Sequence, residues 1–105
     1  MSESQYLQTV AATLAQVESA FDEADLGVDC AIQDLVLTIE FDDGARIVLN
    51  AQAPTRQLWL ASRAGGVHFA FVDGAWRDVR SGAELFDLLS RTVSEQLGRP
   101  VRLSR

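Results

Sequence analysis

The sequence predicts an α+β fold, a two-layer α/β sandwich in which two helices pack on one face of an antiparallel sheet of about six strands. Three observations carry that expectation. Apolar residues recur at spacings of three and four near both ends of the chain, and at alternate positions between them. The alternating region is cut into short runs by turn-forming pairs: Asp43-Gly44, Gly65-Gly66 and Asp73-Gly74. Two one-sided helices can bury their stripes together only against one face of that sheet, which leaves the other at least partly open.

The first helix is expected from Glu3 to Ala24, with Leu7, Val10, Leu14, Val17 and Phe21 as its buried stripe. Ser2 and Gln5 fit a capping box, and Gly27 lies past the end. From Val28 the period becomes two. Val28 to Ile32 reads as a first strand, Gln33-Asp34 as a turn, and Leu35, Leu37, Ile39 and Phe41 as the inner face of a second strand. Asp43-Gly44 turns into a third strand carrying Ile47 and Leu49, and Asn50 to Thr55, with Pro54, reads as a connection or bulge. In the fourth strand Leu58 and Leu60 face one way and Trp59 the other. Gly65-Gly66 is expected to turn into a fifth strand whose Val67, Phe69 and Phe71 share a face, leaving Gln57, Trp59 and His68 on the opposite one.

Asp73-Gly74 leads to a short sixth strand, Ala75 to Val79, with Trp76 as a packing residue. Ser81 to Glu84 reads as a second capping box. The helix after it buries Leu85, Leu88, Leu89, Thr92, Val93 and Gln96 or Leu97, and stops at Gly98 and Pro100. Val101-Arg102-Leu103 is expected to tuck back against a single domain spanning residues 1–105, without repeats or linkers.

Charge is distributed unevenly. Residues 1–43 carry ten carboxylates and no basic side chain, whereas residues 44–105 carry nine arginines against five carboxylates. The overall charge of −6 disfavours nucleic acid, which needs a basic footprint, and favours cations or a basic protein surface. No apolar run approaches the roughly 18–20 residues of a membrane span, and MSESQY lacks the basic start and apolar segment expected of a signal peptide. The lone Cys30 excludes an intramolecular disulfide. The expectation is a soluble protein of a reducing compartment.

The acids concentrate where the first helix ends. Glu18 and Asp22 are four apart and share a face, Glu23 and Asp25 continue the group, and Asp29 follows. Like charges at this spacing cost a few tenths of a kcal/mol per pair, and the negative end of the helix dipole adds to that. Oxygen-only donors suit hard cations such as Ca2+, Mg2+, Mn2+ or iron, not zinc or copper. An exposed helix face cannot enclose an ion, so water must supply several ligands and affinity should be weak. The same cluster also reads as a solvated acidic face that aids solubility. Trp59 likewise has two readings, a partner anchor or a residue packed under the Pro54 loop or the tail. One histidine and one cysteine make a thin catalytic set: Cys30 reads as a small core residue and His68 as a hydrogen-bonded strand residue. No phosphate loop or thiol–zinc spacing is present, so the chain is not expected to be an enzyme.

The spacing N-x-Q-x-P-x-x-Q-L-W-L-A, followed by G-G-x-H-F, resembles the signature of the frataxin family, in particular its bacterial CyaY group. Asn50, Gln52, Pro54, Gln57, Trp59, Ala61, Gly65, Gly66, His68 and Phe69 stand at the matching positions. The resemblance extends over nearly the whole chain and implies two helices across an antiparallel sheet. It further implies that Glu18, Asp22, Glu23, Asp25 and Asp29, extended by Glu3 and Asp34, form an iron-binding ridge that holds Fe2+ or Fe3+ weakly. Glu18, Asp22 and Glu23 would also meet a basic patch of the cysteine desulfurase, with Asn50, Gln52, Gln57 and Trp59 turned toward the iron–sulfur scaffold protein. Ser19, where some relatives carry an acid, leaves one carboxylate fewer. The implied role is regulation of iron–sulfur cluster assembly in a bacterial cytoplasm, as a monomer or an iron-dependent oligomer. Two rival readings remain open: a ferroxidase storing iron as an oligomer, and an acidic adaptor whose metal binding is incidental.

Overall fold

The computed structural model describes residues 1–105 and orders them as a helix, six strands and a helix. α1 (Glu3–Ala24) starts where its capping box requires. The Gln5 N–H donates to Ser2 Oγ at 3.1 Å, and the Ser2 N–H donates to Gln5 Oε1 at 2.9 Å. Its buried face is Tyr6, Val10, Thr13, Leu14, Val17, Ala20 and Phe21. Tyr6, not Leu7, is the first fully buried residue of the stripe. Hydropathy underrates a tyrosine whose hydroxyl finds partners. Here the hydroxyl donates to the Gln57 carbonyl at 2.6 Å and accepts from the Gln52 N–H at 2.8 Å.

The sheet is an antiparallel meander whose spatial order equals its chain order. It comprises β1 (Asp29–Gln33), β2 (Val36–Glu40), β3 (Arg46–Gln52), β4 (Gln57–Ser62), β5 (Gly65–Val72) and β6 (Ala75–Asp78). Leu37, Ile39, Ile47, Leu49, Leu58, Leu60, Phe69 and Trp76 are buried on one face. They join the helix stripes in a single apolar core, as the alternation predicts. Trp76 is a packing residue as expected: it is buried and its indole N–H donates to Thr13 Oγ1 at 2.8 Å. No helix is long and apolar enough to cross a membrane.

Several turns sit elsewhere than the sequence suggests. The β1–β2 turn is Asp34-Leu35, with φ of 53° and 60°, one residue beyond the expected Gln33-Asp34. β4 and β5 are joined through Arg63-Ala64; Gly65 and Gly66 lie inside β5, paired with Ser62 and Ala61. Asn50 to Gln52 continue β3, and only Ala53–Thr55 leave the sheet, as one 3-10 turn containing Pro54. The β2–β3 turn contains the expected Asp43-Gly44 but is one residue longer, Asp42-Asp43-Gly44, closed by the Phe41 N–H donating to the Ala45 carbonyl at 2.9 Å. Gly44 takes a φ of 85°, and Asp43 Oδ1 accepts the Ala45 N–H at 2.9 Å.

α2 (Leu85–Leu97) is not capped by Ser81. Its cap is Glu84, whose carboxylate accepts the N–H groups of Phe86 and Asp87 at 2.9 and 3.3 Å, while Ser81 donates to Asp78 Oδ2 at 2.7 Å. The buried face of α2 is Leu85, Phe86, Leu89, Ser90 and Val93, with Leu88 and Thr92 at its rim. Beyond the Gly98 cap the tail folds back as expected, and Leu103 is buried. Two serines of α2 hold it: Ser94 Oγ accepts the Val101 N–H at 2.8 Å, and Ser90 Oγ accepts the Leu103 N–H at 2.9 Å.

Candidate functional site

The carboxylate cluster occupies the last turns of α1 and the start of β1. Asp22, Glu23, Asp25 and Asp29 are exposed and Glu18 is half-buried. Asp25 closes α1 in the left-handed conformation (φ 50°, ψ 56°), and the last turn holds no basic residue to offset the helix dipole. The molecule has four ion pairs: Arg46–Glu40 at 3.0 Å, Arg63–Asp43 at 3.7 Å, Arg102–Asp87 at 2.9 Å and Arg105–Glu84 at 3.1 Å. None involves Glu18, Asp22, Glu23, Asp25 or Asp29, and no hydrogen bond reaches their carboxylates. The acids of the ridge face outward with nothing of their own to neutralise them.

These carboxylates do not form a closed cage. Nowhere do three acidic, histidine or cysteine side chains converge closely enough to hold one ion. Glu3 lies in the first turn of α1, about 28 Å along the axis from Asp22 at 1.5 Å per residue, so the two cannot share an ion. Asp34 sits in the β1–β2 turn, at the other end of β1 from Asp29. Cys30 is half-buried among the ridge acids. Its thiol is pushed up to about 11, first by burial and then by the charges of Asp22, Glu18 and Asp29. It packs against the core from β1, as the alternation implies.

The second candidate surface is the uncovered face of the sheet. Asn50 pairs with Trp59, Gln52 with Gln57, and Trp59 with His68, so the sequence-selected residues lie side by side across β3, β4 and β5. The half-buried Trp59 ring stacks on the His68 imidazole, with centroids 4.1 Å apart and planes 6° from parallel. Its Nε1–H donates to Gln57 Oε1 at 2.8 Å. One ring face and one edge of the indole are thus fixed by neighbours on the sheet. His68 differs from expectation: it is exposed, makes no side-chain hydrogen bond, and serves as the stacking partner of Trp59. The pairing follows from the Arg63-Ala64 turn, and a turn at Gly65-Gly66 would not bring the two rings together. Cys30 and His68 lie on strands separated by three others and on opposite faces, so they form no thiol–imidazole pair. β1 and β4 are three strand spacings apart, about 14 Å, and Asp29 and Trp59 lie farther apart still, because the register puts Trp59 in line with Gln33, four residues along β1.

Known proteins share this fold. The family model of the frataxin-like domain matches residues 1–99. The chain is 42% identical over 104 residues to the iron-sulfur cluster assembly protein CyaY of Paraburkholderia phymatum, covering 99% of each chain. Among solved structures it is similar to the frataxin of Psychromonas ingrahamii, with a TM-score of 0.92, 30% identity and full coverage of both chains. It is also similar to trimeric yeast frataxin complexed with ferrous iron, with a TM-score of 0.64 and 28% identity over 92% of this chain and 86% of that one. The chain belongs to the frataxin-like family, in its CyaY group.

Proposed function

We propose that this protein binds iron and regulates iron–sulfur cluster assembly without catalysing a reaction itself. On this reading the ridge of Glu18, Asp22, Glu23, Asp25 and Asp29 weakly holds Fe2+ or Fe3+ and docks on a basic patch of the cysteine desulfurase. The face around Trp59, Asn50, Gln52 and Gln57 meets the scaffold protein. The observation that carries the reading is that every ridge carboxylate is left unpaired in a molecule with nine arginines. Leaving them so costs stability, which is expected where charge serves a contact made with something else.

The donor set suits a hydrated hard cation held by one or two carboxylates with water completing its shell, which makes the binding weak. The names of the P. phymatum relative and of the yeast iron complex support the assignment to cluster assembly and to iron. One observation favours a second reading, an acidic adaptor with incidental metal binding: no three ligands converge. That observation also counts against a ferroxidase centre built within one chain.

The test is the affinity for the cysteine desulfurase of a variant carrying Glu18→Gln, Asp22→Asn and Glu23→Gln. Binding should weaken about tenfold or more at low salt, and the difference from wild type should shrink as salt is raised. Unchanged affinity at low salt would remove the docking claim.

A further inference from the structure

The two edges of the sheet are treated differently. The outer edge of β6 is occupied from within: the Asp78 N–H donates to the Ala83 carbonyl at 2.9 Å, and Arg77 bridges to Glu84. The outer edge of β1 has no such cover. The two-residue Asp34-Leu35 turn makes Gln33 and Val36 a hydrogen-bonded pair. Pairs alternate in an antiparallel ladder, so Cys30 opposite Ile39, and Ile32 opposite Leu37, direct their N–H and C=O groups away from β2. No hydrogen bond outside the helices and strands reaches these groups.

The strand, DCAIQ, contains none of the lysine or proline that commonly blunts an edge. Ile32 leaves a large apolar side chain 40% exposed there. The surroundings select the occupant. Glu18 and Asp22 from α1 and Asp29 from β1 act on the Cys30 thiol near the start of the strand, and Asp34 closes its far end. A second copy of this chain would bring the same carboxylates against these. An acidic segment would be repelled in the same way.

We propose that the β1 edge receives an extended basic segment of a partner protein as a seventh strand. Its backbone would bond to the outward groups of Cys30 and Ile32, its apolar side chains would cover Ile32, and its arginines or lysines would meet the ridge carboxylates. The proposal rests on the ridge being a docking surface for a basic partner and specifies how the partner is held.

The test uses the intact protein and a synthetic peptide of alternating arginine and valine, followed by amide hydrogen exchange and NMR at low salt. Added peptide should slow exchange at the Cys30 and Ile32 amides. Ile32→Pro removes one outward N–H while sparing the bonds of β1 to β2, and should weaken the peptide about fivefold beyond the effect of Ile32→Ala. Shifts confined to α1, with no protection in β1, would overturn strand addition and leave electrostatic docking intact. Equal affinities for the two Ile32 variants would overturn it as well. No binding of the peptide at all would overturn both the strand addition and the docking reading beneath it.

Discussion

The C-terminal end of α1 and the N-terminal end of α2 use the same chemistry in opposite ways. At α2, Glu84 sits on the positive end of the helix dipole, accepts two backbone N–H groups and pairs with Arg105. Asp87, in the first turn, pairs with Arg102. At α1, Glu18, Asp22, Glu23 and Asp25 crowd the negative end and pair with nothing. Asp25 also adopts a left-handed conformation that costs roughly 1 kcal/mol outside glycine. Acids at α2 therefore stabilise the fold, and acids at α1 oppose it. The difference separates carboxylates kept for structure from carboxylates kept for contact.

Substitutions can break or sharpen that contrast, beginning on the structural side. Leu103→Ala, which undoes the tail buried beneath α2, should cost about 2–4 kcal/mol in urea unfolding. At temperatures where it is folded, the variant should bind cations at the ridge as the wild type does. Glu84→Ala should cost about 1–2 kcal/mol, because it removes the helix cap along with the Arg105 pair. Asp25→Gly should move stability the other way, by about 0.5–1 kcal/mol, since glycine accepts the left-handed cap and one repulsive charge is gone. Loss of stability in Asp25→Gly would erase the contrast.

The smallest effect is expected at Cys30. With its thiol near 11, little thiolate exists at pH 8, so labelling by iodoacetamide should be slow and should rise as pH approaches 11. Because folding raises this value above that of the unfolded chain, the associated stability is complete below about pH 9 and is lost between there and 11. Asp22→Asn with Glu18→Gln should accelerate labelling only a few-fold, because burial is the larger cause of the shift.

Faces were legible in the sequence, and registers were not. Alternation placed Leu58, Leu60 and Phe69 inside and Trp59 outside, and the structure agrees. A turn at Gly65-Gly66 would have set Trp59 opposite Val72, whereas the Arg63-Ala64 turn sets it opposite His68. An even displacement preserves which face each side chain takes, so periodicity cannot detect it. The stacked pair was hidden for that reason. Tyr6 and Glu84 were missed because a hydroxyl bridging to Gln52 and Gln57, and a carboxylate serving as a cap, depend on where distant backbone groups finish. The ridge itself was readable from composition and spacing. That no arginine folds back onto it was not, because pairing is decided by tertiary placement.

The most direct measurement is an anaerobic Fe2+ titration of the 15N-labelled protein. Perturbations should begin at Glu18, Asp22, Glu23, Asp25 and Asp29 and leave Glu40, Glu84 and Asp87 unmoved, because those three already hold arginines. Equal perturbation of the paired and unpaired carboxylates, or none along the ridge, would contradict the account.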